Sequence, residues 1–336
     1  MSADAALWDD MLAEFRALGG TAENICLRHG CYGRGLFPVD PSQPIKVKVP
    51  DSLLVDHRHI QFHNNAFGLA DDAPVGERER AFIENYEREF SWPAGRREIE
   101  GIFEVMQEAS PELRDLLKNG YYCYRWVAEP TSEVIQRRFL ESRVFRYKGM
   151  DVIMPVVEFA NHGHATQFQT TDGVGLSGQF SGEVLVRYQL CDPLQVFGKW
   201  GFASGSEAFA LSVHMNVERA GILIGRGDVS AAPEHKPFMP EIVSADGQLK
   251  LSYLLLGHKQ RPALARGIFT RMMRDRGRLR DEADSIFDSI LHANRMHMFQ
   301  LLAASEKSPP RLGGLLRTVA RFQLEAMSHS IGRSET

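Results

Sequence analysis

Apolar side chains recur at three- and four-residue spacing near the start of the chain, at Leu7, Trp8, Met11, Leu12, Phe15 and Leu18, and stop at Gly19-Gly20. That spacing predicts an amphipathic helix over 4–18 closed by glycine. The period then shortens: Ile25 to Leu27 and Leu36 to Val39 read as short strands on either side of a glycine-rich turn, and IKVKVP (45–50) alternates as a half-buried strand does. From Pro74 to about Gln136 the period is helical again, in GERERAFIENYEREF, REIEGIFEVMQEA and SPELRDLLKNG. There Ser110-Pro111-Glu112 supplies a cap, a proline at the first helical position and an early carboxylate. Strand patterns return in SRVFRYKGM, DVIMPVVEF, GVGLSGQF and EVLVRYQL, the last ending near Tyr188. After Ser204 a mixed stretch holds AFALSVHM, GILIG and QLKLSYLLLG. Helices are predicted over Ala263–Asp275, Asp281–Ala304 and Leu312–Ser330, with Pro309-Pro310 breaking the last two.

This order predicts an α+β protein: an N-terminal helix in 1–20, a β-rich part in 21–73, a helical insertion in 74–140, a second β-rich part in 141–205 and a mainly helical part in 206–336. A chain of 336 residues that is 43% hydrophobic and 24% charged can bury a sizeable core in more than one domain. A formal net charge of -4 gives no whole-chain basic field, which argues against nucleic acid or an anionic membrane as the main partner and leaves room only for a local basic patch. No apolar run reaches the roughly 18 residues that span a bilayer, and MSADAALWDDMLAEF is acidic where a signal peptide is basic. A cytoplasmic protein is expected. Cys26, Cys31, Cys123 and Cys191 form no Cys-x-x-Cys pair, so neither a zinc site nor a disulfide framework is indicated.

Few motifs carry chemistry singly. Gly33-Arg34-Gly35-Leu36 alone reads as a tight turn, because a dinucleotide loop needs a third glycine and a βαβ context, and Gly225-Arg226-Gly227 reads the same way. His57, His59 and His63, and His162 with His164, have no carboxylate or cysteine at a metal-ligand spacing, so no metal is expected. Gly-x-Ser-x-Gly, Walker and His-Glu-x-x-His motifs are absent from the sequence. The Met and Phe residues of the C-terminal helices read as core. Tyr188 follows a polar turn and an apolar run, a place where a phenol can face a cavity while its ring stays packed.

Taken in order, however, five segments resemble the SET-domain methyltransferases, in the branch of the Rubisco large-subunit lysine methyltransferase. They are GRGLFPVDPSQPIKVKVPDSLLV, Ser142-Arg143-Val144-Phe145 after the helical insertion, MPVVEFANHG, GEVLVRYQL and KWGFAS. The resemblance covers roughly residues 20–205. It departs from the family at Glu158, where an Asp is usual, at the Gly182-Glu183 spacing, at Gln189, and at Trp200, where the family has Tyr.

The resemblance implies a SET fold of small β-sheets with a threaded core and a helical insertion, followed by a mainly helical substrate-binding domain. It implies S-adenosylmethionine as cofactor and in-line transfer of its methyl group to a protein lysine. Gly33, Arg34, Gly35 and Leu36 would offer backbone to the cofactor, Arg143 would pair with its carboxylate, and Asn161 and His162 would hold its amino end or adenine. Tyr188 would stand at the transfer centre, and Phe145, Glu158, Trp200 and Phe202 would line the substrate channel. Two other readings stay open: an N-methyltransferase acting on a small amine or free amino acid, and a SET-like binding module without catalysis.

Overall fold

The computed structural model describes residues 3–120, 122–225, 238–245 and 247–330. The turn expected at Gly225-Arg226-Gly227 therefore lies, from Arg226 on, outside the described residues. The chain is mixed helix and strand, with its strands in small sheets of two to four members, and divides into two compact units. One comprises Met1–Glu100 and Pro130–Tyr188, the other Gly101–Glu129 and Gln189–Thr336.

In the first unit the helix Ala3–Ala17 buries Trp8, Met11, Leu12 and Phe15, the positions that carry the helical period. The strand Ile45–Val49 is the middle of a three-stranded antiparallel sheet, between Thr21–Glu23 and Val174–Gly178. Its alternation is realised, with Ile45, Val47 and Val49 buried and Lys46 exposed. Ile25–Gly30 and Gly33–Pro38 form a hairpin closed by Cys31-Tyr32, and Gly33 takes φ +94°, the backbone region open to glycine. The insertion is helical as its period predicts, with Glu77–Tyr86 running into a wide π turn, Glu87–Ser91, and then into Trp92–Gln107.

Three stretches that read as strands depart from that reading. Ser142 and Arg143 end a helix, Ser132–Arg143, whose Thr131 side chain accepts the Val134 N–H, and the strand begins only at Phe145. DVIMPVVEF is a strand only to Ile153. At Val156 the chain makes a γ-turn with φ +70° and ψ −52°, in which the Val157 N–H donates to the Pro155 carbonyl at 2.8 Å, and a 3-10 turn, Val157–Phe159, follows. In EVLVRYQL only Leu185–Val186 joins a ladder, parallel to Asn161–Thr166, so Tyr188 stands just beyond the strand. Alternating apolar residues fit these segments to a pleated surface, but backbone irregularities end the ladders, a γ-turn at Val156 in one and a register shift between His162 and Thr166 in another.

The later part of the second unit, from Gln189, begins with a capped helix. Asp192 accepts the Gln195 N–H while the Gln195 side chain accepts the Asp192 N–H, Pro193 starts Pro193–Trp200, and Gly201 at φ +77° ends it. Trp200-Gly201-Phe202, given no element by the sequence pattern, is a helix end, and a side chain on Gly201 would collide with Ile102. Phe209–Leu211 pairs with Leu255–His258, and a four-stranded sheet is built from Met215–Val217, Ile222–Ile224, Gln248–Leu251 and Ile242–Ala245. From there on the unit is helical, in Leu264–Arg274, Arg280–Glu306 and Pro310–Ser328, with the break at Pro309. Among the described residues no helix is long and apolar enough to cross a membrane.

Candidate functional site

The residues singled out from the sequence converge in the first unit around one face of the hairpin Ile25–Gly30/Gly33–Pro38. Strand residues at 30 and 35 are both glycine, and the Glu183 carboxylate lies where their side chains would stand: a Cβ at Gly30 would meet Oε2 and one at Gly35 would meet Oε1. The Val184 N–H donates to the Leu36 carbonyl at 2.8 Å and holds Glu183 over the hairpin. Asn161 Nδ2 donates to Glu183 Oε1 at 2.5 Å and to the Arg34 carbonyl at 3.2 Å. An amide thus ties the hairpin backbone to a carboxylate, with one strand's start meeting another's.

His162 is the next residue on that strand and is buried. Its Nδ1 accepts the backbone N–H of Tyr188 at 3.3 Å, and the two rings lie 5.2 Å apart. This bond extends the parallel ladder by one side chain past its last backbone pair and fixes where Tyr188 leaves the sheet. Burial pushes the Tyr188 hydroxyl above the ordinary phenol range; the Arg143 charge opposes this, and Glu158, Glu98 and Glu183 add to it. One cation and three carboxylates therefore act on the phenol of a half-buried tyrosine.

Arg143 is held at the end of its helix with its guanidinium carbon 4.5 Å from the Phe139 ring centre. It lies against Gly95, where a Cβ would come within 2.5 Å of Nη2, so a larger residue there would make the guanidinium shift. Its carboxylate neighbours stand off, Glu158 at 3.7 Å and Glu98 at 3.9 Å, and none among the described residues makes a hydrogen bond to it. Nη1 donates to the Ser142 hydroxyl at 3.0 Å and the side chain is 19% exposed, so the guanidinium keeps N–H groups for an incoming carboxylate.

The other expected site residues take different places. Glu158, raised on the turn after Val156, points inward, its side chain 3% exposed, and Oε1 accepts the Tyr86 hydroxyl at 2.8 Å. Phe145 packs edge-on to Phe168 at 5.0 Å. Leu36 is fully buried in the core, and Arg34 extends along the hairpin to donate from Nη1 to the Phe90 carbonyl at 3.3 Å. Trp200 and Phe202 belong to the second unit, where their rings lie 6.4 Å apart. The contacts of the first unit thus join Arg34, Gly35, Asn161 and Glu183, then His162 and Tyr188, and separately Arg143 and Glu158, while Phe145 contacts Phe168 instead.

Sequence reasoning missed Gly30, Gly95, Glu98 and Glu87 as members. Glu87 did leave a signal: it occupies an apolar stripe with Phe82, Ile83, Tyr86 and Phe90, and a lone acid there marks a buried charge. Among the described residues no three His, Cys, Asp or Glu side chains form a group able to hold a metal ion.

Neither a scan against protein-family models nor a search of curated proteins gives a match. Among solved structures the chain is similar to the SET domain of LSMT, crystallised bound to lysine and AdoHcy, with 13% identity and a TM-score of 0.44 over 98% of this chain and 91% of that one. At that similarity the functional reading rests on the chain's own residues.

Proposed function

We propose that the chain is a SET-type, S-adenosylmethionine-dependent N-methyltransferase whose acceptor is a protein lysine side chain. The observation that carries this reading is geometric: Asn161 ties the Glu183 carboxylate to the hairpin over Gly30 and Gly35, and the next residue, His162, holds the Tyr188 backbone. Residues of the hairpin, of Asn161-His162 and of the segment Glu183–Tyr188 are joined there by hydrogen bonds although they are far apart in sequence.

The cofactor is zwitterionic at its amino-acid end, and the first unit offers a partner for each charge. Arg143, with no hydrogen-bonded carboxylate of its own among the described residues, suits the cofactor carboxylate. The Glu183 carboxylate, fixed by Asn161 over Gly30 and Gly35, suits an ammonium. When bound, S-adenosylmethionine supplies an electrophilic methyl group on a sulfonium centre. The work left to the protein is alignment and exclusion of water rather than acid–base chemistry. Tyr188 keeps its proton, since burial holds the phenol neutral, and so presents an O–H dipole and lone pairs rather than a phenolate. His162 sets the direction of that phenol through the Tyr188 backbone. The carboxylates around it favour positive charge at the centre, as a sulfonium beside an amine requires. An acceptor lysine, of ordinary pKa about 10.4, is pushed towards its neutral form by desolvation and by the cofactor's own sulfonium, against the pull of those carboxylates.

Calorimetry with S-adenosylmethionine, followed by transfer of labelled methyl groups into cell-lysate proteins, tests the reading. Binding and label on protein lysine are expected. Absence of binding defeats it, and label found only on small amines replaces the acceptor while leaving the cofactor.

A further inference from the structure

Two carboxylates lie deep in the first unit where methyl transfer has no direct use for them. Glu87 is fully buried and neither of its oxygens has a hydrogen-bond partner among the described residues; Glu158 Oε2 is likewise without one. The backbone puts effort into bringing them there. Glu87 opens the π turn, whose closing Trp92 N–H donates to the Glu87 carbonyl, and such turns cost helix stability and mark functional positions. Glu158 follows the turn at Val156, a buried β-branched residue forced to positive φ.

The groups facing this pair are few. Tyr86 donates to Glu158 Oε1, the Ser91 hydroxyl lies beside both carboxylates, and Arg143 stands 3.7 Å from Glu158 Oε2. The guanidinium thus serves both buried acids, its other carboxylate neighbour being the exposed Glu98 at 3.9 Å, and a second buried charge without a partner is too costly to keep.

We propose that Glu87 and Glu158 hold one proton between them and act as a positioning pair for Arg143. With the proton in place the pair presents a single negative charge, which steadies the guanidinium but leaves its outer N–H groups to bind a carboxylate. Without it, two charges draw the guanidinium inward. The electrostatics agree: burial, and after it the Glu158 charge, pushes Glu87 well above the usual carboxylate range, while burial raises Glu158 against the opposing pull of Arg143. For its functional consequence, cofactor affinity that falls as pH rises, this inference rests on the role given to Arg143 above.

The test uses the full chain and variants Glu87→Gln, which copies the protonated acid, and Glu87→Ala. A carboxyl with a raised folded pKa contributes stability at low pH that is lost as pH rises through that pKa. In the ligand-free protein the wild type should therefore lose stability towards high pH while Glu87→Gln does not. The Arg143 guanidinium NMR signal, assigned with Arg143→Lys, should move with pH in the wild type and stay still in Glu87→Gln. S-adenosylmethionine affinity should be independent of pH over that range in Glu87→Gln and about tenfold lower in Glu87→Ala, as for loss of a contact to a charged group. Parallel stability curves for wild type and Glu87→Gln, or an Arg143 signal that titrates alike in both, overturn the shared proton. If the wild type binds no cofactor, the proposed function falls, and the two ligand-free measurements still decide the pair.

Discussion

Asn161 Nδ2 donates to Glu183 Oε1 at 2.5 Å directly above Gly35, where a Cβ would come within 2.7 Å of the amide and collide with the carboxylate. The contact exists only because residue 35 has no side chain. In Gly35→Ala the amide and carboxylate must separate, and losing a hydrogen bond to a charged group costs about 1.5–3 kcal/mol, or roughly tenfold or more in affinity. Calorimetry should show that loss for S-adenosylmethionine. Gly68→Ala is the control, since a Cβ there meets nothing within 4 Å; it should leave affinity alone.

Arg143→Lys should weaken cofactor binding by about tenfold although the charge is kept. A lysine has neither the planar face that lies on Phe139 nor the fork that takes a carboxylate in two bonds. The loss should appear in affinity, measured at fixed pH, with little change in the midpoint of thermal unfolding.

Val156 and Val157 are both fully buried, but only Val156 sits at positive φ. Replacement of either by Gly removes the same packing, while at Val156 it also releases backbone strain of about 1–3 kcal/mol. Urea unfolding should show Val156→Gly to be less destabilising than Val157→Gly by about that amount.

Much of the site could be read along the chain, and the parts that could not share a cause. The glycine hairpin, Asn161-His162 and Tyr188 carry their chemistry in residue type and order. The α+β class and the helical end follow from hydrophobic period, which also located Ser110-Pro111 and Pro309-Pro310 as helix boundaries. Glu183 was visible as part of a Gly-Glu turn, but its carboxylate acts across two glycines on other strands, a tertiary fact with no local signature. Gly95 is similar, being a glycine in a helix whose reason is a guanidinium from another helix. Arg143 read as strand because Val144-Phe145-Arg146-Tyr147 alternates, whereas the Thr131 cap carries a helix up to it. Tyr188 falls outside its strand because the register shifts between His162 and Thr166 of the partner, an irregularity with no local signature in EVLVRYQL.

In the second unit Asp192 is fully buried and accepts from Gln195 N and Leu211 N, each at 2.8 Å, and from Gln323 Nε2 at 2.8 Å. Burial raises its pKa to about 6 despite those donors. The neutral form is the more stable in the folded chain, so its contribution is present below about pH 4 and is lost as pH rises through about 6. A shift of that size corresponds to about 3 kcal/mol. Asp192→Ala should cost several kcal/mol at neutral pH, because it strands three buried donors and removes a helix cap, and it should flatten the stability profile between about pH 4 and 6. Chemical unfolding across that range measures both effects.

The central claim is that Tyr188 stands at the methyl-transfer centre. Transfer of labelled methyl from S-adenosylmethionine to protein lysine, by the wild type and by Tyr188→Phe with cofactor affinity measured in parallel, tests it most directly. The wild type should transfer, and Tyr188→Phe should bind cofactor with similar affinity yet transfer about a hundredfold or more slowly, the usual cost of removing one oriented hydroxyl from a reacting centre. Transfer by Tyr188→Phe at the wild-type rate would contradict the assignment.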